Sequence, residues 1–326
     1  MSRDEQSFPA TIQRDLVPVN AVIGFLKRDR KWPSALYDLG YRLAMIEQPV
    51  SAAAVGTAEI DVICLNHKQN HAILWECKSG CTVGEKQARV YASISAEDVQ
   101  RTGNITFPHA ASASVEPVYC CLESDCGAVV NSLKNLGLTI PVVSLGKQAV
   151  LVCGQLNDAD ASIHFARGIN LPPLEEVPRF LIANTQTPKS GLAGPFFATI
   201  VSFLRRQTGK FSLRHLLEET FPDWECMGTD LRRHLSSVAR EIVKDLCENE
   251  LRDFARIGKA SHSPNEIMIE FTVDVLGHDA SMRTRTFQKL MRLAYEYIER
   301  TKENRPYEPT QAVESLWLPG LEPEQN

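Results

Sequence analysis

The stretch GTAEIDVICLNHKQNHAILWECKSG, residues 56–80, decides the fold. Two apolar runs flank the polar tetrad His67-Lys68-Gln69-Asn70. An acid sits in the first run, and an acid–x–lysine triplet closes the second. The pattern predicts a β-hairpin. With Asn66 and His71 closing its loop, paired residues have numbers that sum to 137, so Asp61 stands opposite Glu76 and Glu59 opposite Lys78. Directly opposed residues share a face, as do residues two apart on one strand. Glu59, Asp61, Glu76 and Lys78 then form one patch, with the central acids about 4.5–5.5 Å apart at Cβ. Three carboxylates that close are unfavourable without a cation between them, so the patch reads as a divalent-metal site with a lysine beside it.

The runs 60–65 and 72–77 are apolar on both faces, which is the pattern of central strands covered on both sides. Ile63, Leu65, Ala72 and Leu74 share the charged face, which argues against a solvated strand face carrying cross-strand ion pairs. Working outward, helices are expected within Asn20–Arg28 and after Pro33, then a strand over Tyr41–Pro49. The hairpin follows, and Gly84–Gln100 reads as one helix. The apolar runs Pro117–Leu122 and Ile140–Leu145 bracket a helix around Gly127–Leu136. This order predicts an α/β fold, a mixed sheet flanked by helices.

Pro-rich stretches between Leu171 and Pro195 mark a boundary. Beyond it come helices over Phe196–Arg206, Ser212–Thr220 and Thr229–Asn249, with Ser212 and Thr229 as N-caps. Two β-like runs, Asp253–Ile257 and Glu266–Val273, flank a KASHSPN turn. Three helices followed by a hairpin is the order of a winged helix-turn-helix. A last helix spans about Thr284–Lys302, and the proline-rich, acidic tail from Pro306 reads as disordered. The expected division is 1–170, a linker 171–195, a mainly helical domain 196–304, and a tail 305–326.

At 326 residues, 44% hydrophobic and 23% charged, the chain suits about two globular domains. No run of about 18 uncharged apolar residues exists, so no membrane partner is expected. The N-terminal stretch MSRDEQSFPATIQRD lacks the apolar core of a secretory signal, and nine irregularly spaced cysteines fit a reducing compartment. A cytoplasmic location is expected. A net charge of −5 counts against coating nucleic acid by bulk charge but allows local basic patches.

The chain has two acid–x–lysine triplets. Asp29-Arg30-Lys31 lies in a charged stretch without a partner acid, whereas Glu76-Cys77-Lys78 ends an apolar strand, follows an acidic strand and precedes a helix. With Leu39-Gly40-Tyr41 leading into a first strand, Glu59-Ile60-Asp61 on the second and Gln87-Ala88-Arg89-Val90-Tyr91 on the next helix, residues 33–145 resemble the PD-(D/E)xK nuclease superfamily. Gln87 and Tyr91 resemble the QxxxY motif of its RecB-like members. The resemblance implies a restriction-endonuclease-like fold and hydrolysis of DNA phosphodiesters. It implies Mg²⁺ or Mn²⁺ held by Asp61, Glu76 and the main-chain carbonyl of Cys77, with Lys78 orienting or activating the attacking water. Gln87 and Tyr91 would position that water or the scissile strand. Glu59 is a further candidate ligand. Many members carry an acid on the first helix; Asp29 and Asp38 lack clear spacing, and that role stays empty. The partners implied are DNA and a protein such as an ATPase or further copies of the chain, in a restriction, defence or mobile-element setting by analogy.

His67, His71 and His109 show no ligand spacing and read as turn and loop residues. Cys77 with Cys81, and Cys120-Cys121 with Cys126, read as small hydrophobes rather than zinc ligands. On the helix 229–249, Arg232, Arg233, Arg240 and Lys244 are candidate DNA contacts, interleaved with Asp230, Glu241, Asp245 and Glu248. The alternative to an enzyme is a non-catalytic winged-helix regulator or assembly subunit whose nuclease-like domain only grips nucleic acid.

Overall fold

A computed structural model of the protein describes residues 14–53, 55–103, 105–206, 208–259, 266–272 and 280–303. The chain divides into two units, 1–186 with 221–235, and 187–220 with 236–326. Among the described residues it is a mixed α/β protein with ten α-helices.

The first unit opens with α1 (Leu16–Phe25) and α2 (Ala35–Asp38), then β1 (Arg42–Ala52), β2 (Gly56–Asn66) and β3 (His71–Lys78). After α3 (Glu85–Ser93) and α4 (Ala96–Thr102) come β4 (Ser114–Leu122), α5 (Glu123–Asn135), β5 (Val142–Leu145), β6 (Gln148–Cys153), α6 (Ala159–Arg167) and β7 (Ile169–Asn170). The seven strands lie in sequence order across one sheet. Pairing is parallel for β3–β4 and β4–β5 and antiparallel elsewhere. Parallel neighbours need a crossover, supplied here by α3 and α4 and then by α5.

The hairpin has the expected register: Asn66 pairs with His71, and the ladder runs through Leu65–Ala72, Cys64–Ile73 and Ile63–Leu74 to Val62–Trp75. Its loop is fixed locally. Asn66 Oδ1 accepts the N–H groups of Lys68 and Gln69, and Asn70 takes the left-handed conformation at φ 54° that Asn tolerates.

Both faces of these strands are covered, as their apolar runs require. Ile63, Leu65, Ala72 and Leu74 pack with Val90 and Tyr91 of α3 and Val99 of α4. On the other face the Trp75 ring lies 6.1 Å from Phe165 of α6, which meets Phe25 of α1 edge-on at 5.6 Å.

Some expectations change. The single helix over Gly84–Gln100 is two, because Ser95 adopts an extended backbone and starts a second helix through a capping box with Asp98. The helix placed around Gly127 begins earlier, at Glu123. The elements β6, α6 and β7 were not anticipated; β6 is short and half-exposed, so its apolar residues carry little periodicity.

The second unit contains α7 (Lys189–Arg205), β8 (Lys210–Ser212) and α8 (Leu213–Thr220). Helix α9 (Thr229–Glu248), β9 (Ala255–Lys259), β10 (Ile267–Phe271) and α10 (Ala280–Lys302) follow, the first turns of α9 belonging to the first unit. An antiparallel sheet of order β8-β10-β9 packs aromatic rings at its centre: Phe203 stands 4.4 Å from Phe211, which stands 5.7 Å from Phe271. The short strand β8 is an addition to the expected order. Residues 260–265 of the KASHSPN turn, and the tail from Pro306, lie outside the described residues. No helix among the described residues is long and apolar enough to cross a membrane.

The capping box gives a stability prediction. Ser95→Ala leaves the Asp98 N–H without its acceptor and is expected to lower unfolding free energy by about 0.5–2 kcal/mol. Urea denaturation checks this, and an unchanged midpoint contradicts it.

Candidate functional site

The β2–β3 ladder ends at Val62–Trp75. Beyond it the strands part: β2 keeps its pairing with β1 through Ile60–Gln48 and Glu59–Pro49. Strand β3 keeps its pairing with β4 through Glu76–Tyr119, Cys77–Cys120 and Lys78–Cys121. The ladder therefore stops one pair short of the expected Asp61–Glu76 opposition, and Glu59 and Lys78 are not cross-strand partners. The side chain of Asp61 bridges the fork instead, its Oδ2 accepting the Cys77 N–H at 2.6 Å. That bond satisfies a main-chain donor the departing strand would otherwise strand.

Glu76 points from β3 toward α3 and is only 2% exposed. Its Oε1 forms an ion pair with the Lys78 ammonium and accepts a bond from Gln87 Nε2 at 3.0 Å. Its Oε2 is buried without a partner among the described residues. Gln87 and Tyr91, one helical turn apart, both face the fork. The Tyr91 hydroxyl donates its proton to the Glu59 carbonyl at 3.1 Å, and burial followed by the charges of the nearby Glu76 and Asp61 holds the phenol well above its ordinary pKa. Burial, then the charge of Glu76, pushes the Asp61 carboxyl well above its ordinary value, while the Cys77 N–H and Lys78 oppose that rise. The Lys78 ion pair is made with Glu76, not with Glu59 as the register suggested. Glu59 is exposed.

The fork opens into a cleft of about 290 Å³ whose walls include Asp61, Cys77, Lys78, Asp15 and Glu47. The sequence reading missed the last two. Asp15 stands at the start of α1, where it accepts a bond from Asn184 Nδ2 at 3.2 Å. Asp29 and Asp38, the two acids considered for a first-helix role, do not line the cleft; Asp29 accepts the Lys31 N–H in a turn. Glu47 interrupts β1 with a left-handed backbone, φ 47°, and is 5% exposed. Its Oε2 accepts the Thr185 N–H at 3.2 Å. Burial first, then the charge of Glu59, raises its pKa from 4.5 to about 8.

The kink at Glu47 is held from outside the sheet. Gly228 N–H donates to the Ile46 carbonyl at 2.6 Å, and Met227 forms a bridge with Ile46. A Cβ at Gly228 would collide with the Glu47 carbonyl oxygen, so only glycine allows this approach. The available sequence signals were a lone acid inside the apolar run YRLAMIEQP and an acid directly before the apolar helix LVPVNAVIGF.

Among the described residues no three His, Cys, Asp or Glu side chains form a ready-made metal cage. A magnesium-type ion that keeps several waters needs only one or two carboxylates. The unpartnered Glu76 Oε2 beside Asp61 fits that demand.

Of the histidines, His71 is not a turn residue: it opens β3, is buried and bonds the Tyr41 hydroxyl. Cys120, Cys121 and Cys126 are buried, Cys77 is half-buried and Cys81 is exposed. On α9, Arg232 and Arg233 pair with Glu225 and Asp230, and Lys244 with Glu248 at 3.9 Å. Arg240 is exposed.

Fold and site together define a mixed α/β protein with two acids and a lysine at a strand fork. Over residues 15–120 the chain matches the family model of the MJECL32 domain, a stretch that runs from Asp15 to β4 and contains the whole fork. No curated protein and no solved structure matches it.

Glu47 imposes a pH dependence. Its folded value lies above its ordinary one, so the folded state binds the extra proton between pH 4.5 and about 8. Its contribution is complete below 4.5 and is lost as pH rises through 8. Urea denaturation in EDTA should show Glu47→Gln gaining stability over the parent progressively across that window. Parallel pH curves for the two proteins would contradict the assignment.

Proposed function

We propose that this protein is a divalent-metal-dependent deoxyribonuclease of the PD-(D/E)xK type, with a restriction-endonuclease-like core in the first unit and a winged helix in the second. One observation carries the reading. Glu76 is buried, held through Oε1 by Lys78 and Gln87, and keeps an Oε2 without a partner among the described residues, while its neighbours Asp61, Cys77 and Lys78 line a cleft. A carboxylate is costly to bury in this way unless a cation completes its shell. The order helix, strand, helix, helix, hairpin, with β8 paired to β10, supports the winged-helix part.

Asp61, Glu76 and the Cys77 carbonyl would hold Mg²⁺ or Mn²⁺. When bound, such an ion polarises a phosphoryl oxygen and acidifies a water. The protein's own residues do the rest. Lys78 brings a positive charge to the cleft wall, where the phosphorane-like transition state gains negative charge. Gln87 fixes the Glu76 rotamer, and Tyr91 pins the Glu59 backbone, so the two strands of the fork keep their separation. Glu47 and Asp15 add further acidic side chains to the cleft wall. For DNA contact, Arg240 is the first candidate on α9, since Arg232 and Arg233 would have to leave Glu225 and Asp230.

The test is cleavage of circular, linear and single-stranded DNA with Mg²⁺. Lys78→Ala and Asp61→Ala are expected to lower the rate by at least about 100-fold. Gln87→Ala, which removes support for a ligand, should lower it about 10–100-fold. Equal cleavage by all three variants refutes the site. DNA binding that survives EDTA, with no cleavage under any divalent ion, would instead indicate a regulator that only grips nucleic acid.

A further inference from the structure

Several cations of the first unit sit in ion pairs: Lys27 with Asp223, Lys78 with Glu76, Arg89 with Glu85 and Arg101 with Asp98. Arg28, Arg42 and Lys68 have no such partner among the described residues. All three line one cleft of about 360 Å³, together with Tyr37, His67 and a single acid, Asp38. Their side chains are exposed.

The cleft forms where the chain after α1, the helix α2, the start of β1 and the hairpin loop meet, and its walls are held locally. The Arg42 guanidinium carbon stands 3.6 Å from the centre of the Tyr37 ring, and that of Arg28 stands 5.0 Å from it. Arg42 Nη1 donates to the Tyr37 and Tyr41 carbonyls at 2.8 and 2.7 Å, which leaves Nε and Nη2 without a protein partner among the described residues. Asn66 ties the loop of Lys68 to the end of α2, since its Nδ2 donates to the Leu39 carbonyl at 2.9 Å while its Oδ1 accepts the Lys68 N–H. Between them Gly40 turns at φ 96°, a conformation that suits glycine.

Two guanidinium groups on one ring, with a lysine beside them, repel one another, and an anion among them relieves that repulsion. The free fork of Arg42 matches phosphate oxygens, and Lys68 adds a point charge. The volume lies near the low end of the about 300–1,000 Å³ of small-ligand sites, room for one phosphate-bearing unit.

The location favours DNA as the source of that phosphate. The fork cleft carries Asp15, Glu47 and Asp61 against Lys78, and the whole chain has a net charge of −5. Such walls do not draw in a polyanion, so cations elsewhere on the unit must do so. The two clefts bracket the same elements. Asp15 before α1 and Asp61 within β2 line the fork cleft, whereas Arg28 after α1 and His67 after β2 line the basic one. The path from Asp61 to His67 covers about 20 Å at strand rise, and that from Asp15 to Arg28 about 20 Å at helix rise. Phosphates of a duplex strand recur about every 3.4 Å, so about six nucleotides cover this distance.

We propose that the cleft of Arg28, Arg42 and Lys68 binds a backbone phosphate of DNA, about six nucleotides from the phosphodiester held at the fork. The position along the strand rests on the nuclease reading, whereas the affinity of the cleft for phosphate does not.

Fluorescence anisotropy of the full-length protein on a labelled DNA duplex of about 20 base pairs, in EDTA and across a salt series, tests this. Arg28→Gln with Lys68→Gln should weaken binding at least about 10-fold at low salt and reduce the slope of log affinity against log salt by about 1–2. Neither side chain makes a hydrogen bond among the described residues, and circular dichroism should show the double variant folded. Asp38→Asn removes the acid from the wall and should tighten binding. Lys134→Gln with Lys147→Gln takes the same charge from exposed positions outside both clefts and should change affinity less than about 2-fold. Parent affinity in the Arg28/Lys68 variant, or an equal loss in the Lys134/Lys147 variant, overturns the proposal. Cleavage with Mg²⁺ separates it from the nuclease reading. A parent that binds DNA through this cleft but never cuts it refutes only the fork's activity, and a parent that cuts DNA while the Arg28/Lys68 variant binds it unchanged refutes only the cleft.

Discussion

The bond from the Cys77 N–H to Asp61 Oδ2 holds together two strands that have stopped pairing, and the candidate site exists because of it. Up to Val62–Trp75 the hairpin is a regular ladder. Past that pair, β2 follows β1 and β3 follows β4, and a gap opens inside an otherwise continuous sheet. A gap in a sheet covered on both faces is ordinarily filled by apolar side chains, because unpaired main-chain groups there are costly. Here the fork is occupied by Asp61, Glu76 and Lys78, and its backbone needs are met by side chains. Asp61 serves Cys77, and Tyr91 serves the Glu59 carbonyl.

The acids of this unit do not share one environment. Glu76 has two donors on one oxygen and none on the other. Glu47 is held in a strained backbone by Gly228 and Met227 and keeps its proton to about pH 8. Glu116, on the other face, has a pKa raised to about 7, mainly by burial. Each acid is buried where a simple core would place a hydrophobe, and Glu76 and Glu116 each keep one oxygen without a partner among the described residues. Folding free energy alone does not favour such groups. Strained backbone and perturbed acids of this kind concentrate at functional sites in proteins generally.

The sequence was most legible where periodicity and charge coincided. The hairpin register, the coverage of both faces and the convergence of Gln87 on Glu76 could be read from residues 56–91, because two-residue alternation and a one-turn helix spacing leave little freedom. Long-range consequences were not legible. The fork requires β3 to prefer β4 over β2 beyond Trp75, a competition between ladders that no local pattern records. Glu47 reaches the cleft only because β1 is kinked by a glycine some 180 residues later in the chain. His71 looked like a loop residue because it adjoins the polar tetrad, yet as the first residue of β3 it is buried against Tyr41. Isolated polar residues beside apolar runs were the places where reading by segment failed.

The central claim is that the fork is a divalent-cation site, and anomalous diffraction from crystals soaked in Mn²⁺ tests it most directly. The account predicts an anomalous peak within coordination distance of Glu76 Oε2 and Asp61, and its loss in Glu76→Gln crystals. Full Mn²⁺ soaking with no peak at the fork, and Glu76 Oε2 bonded only to water, would contradict it.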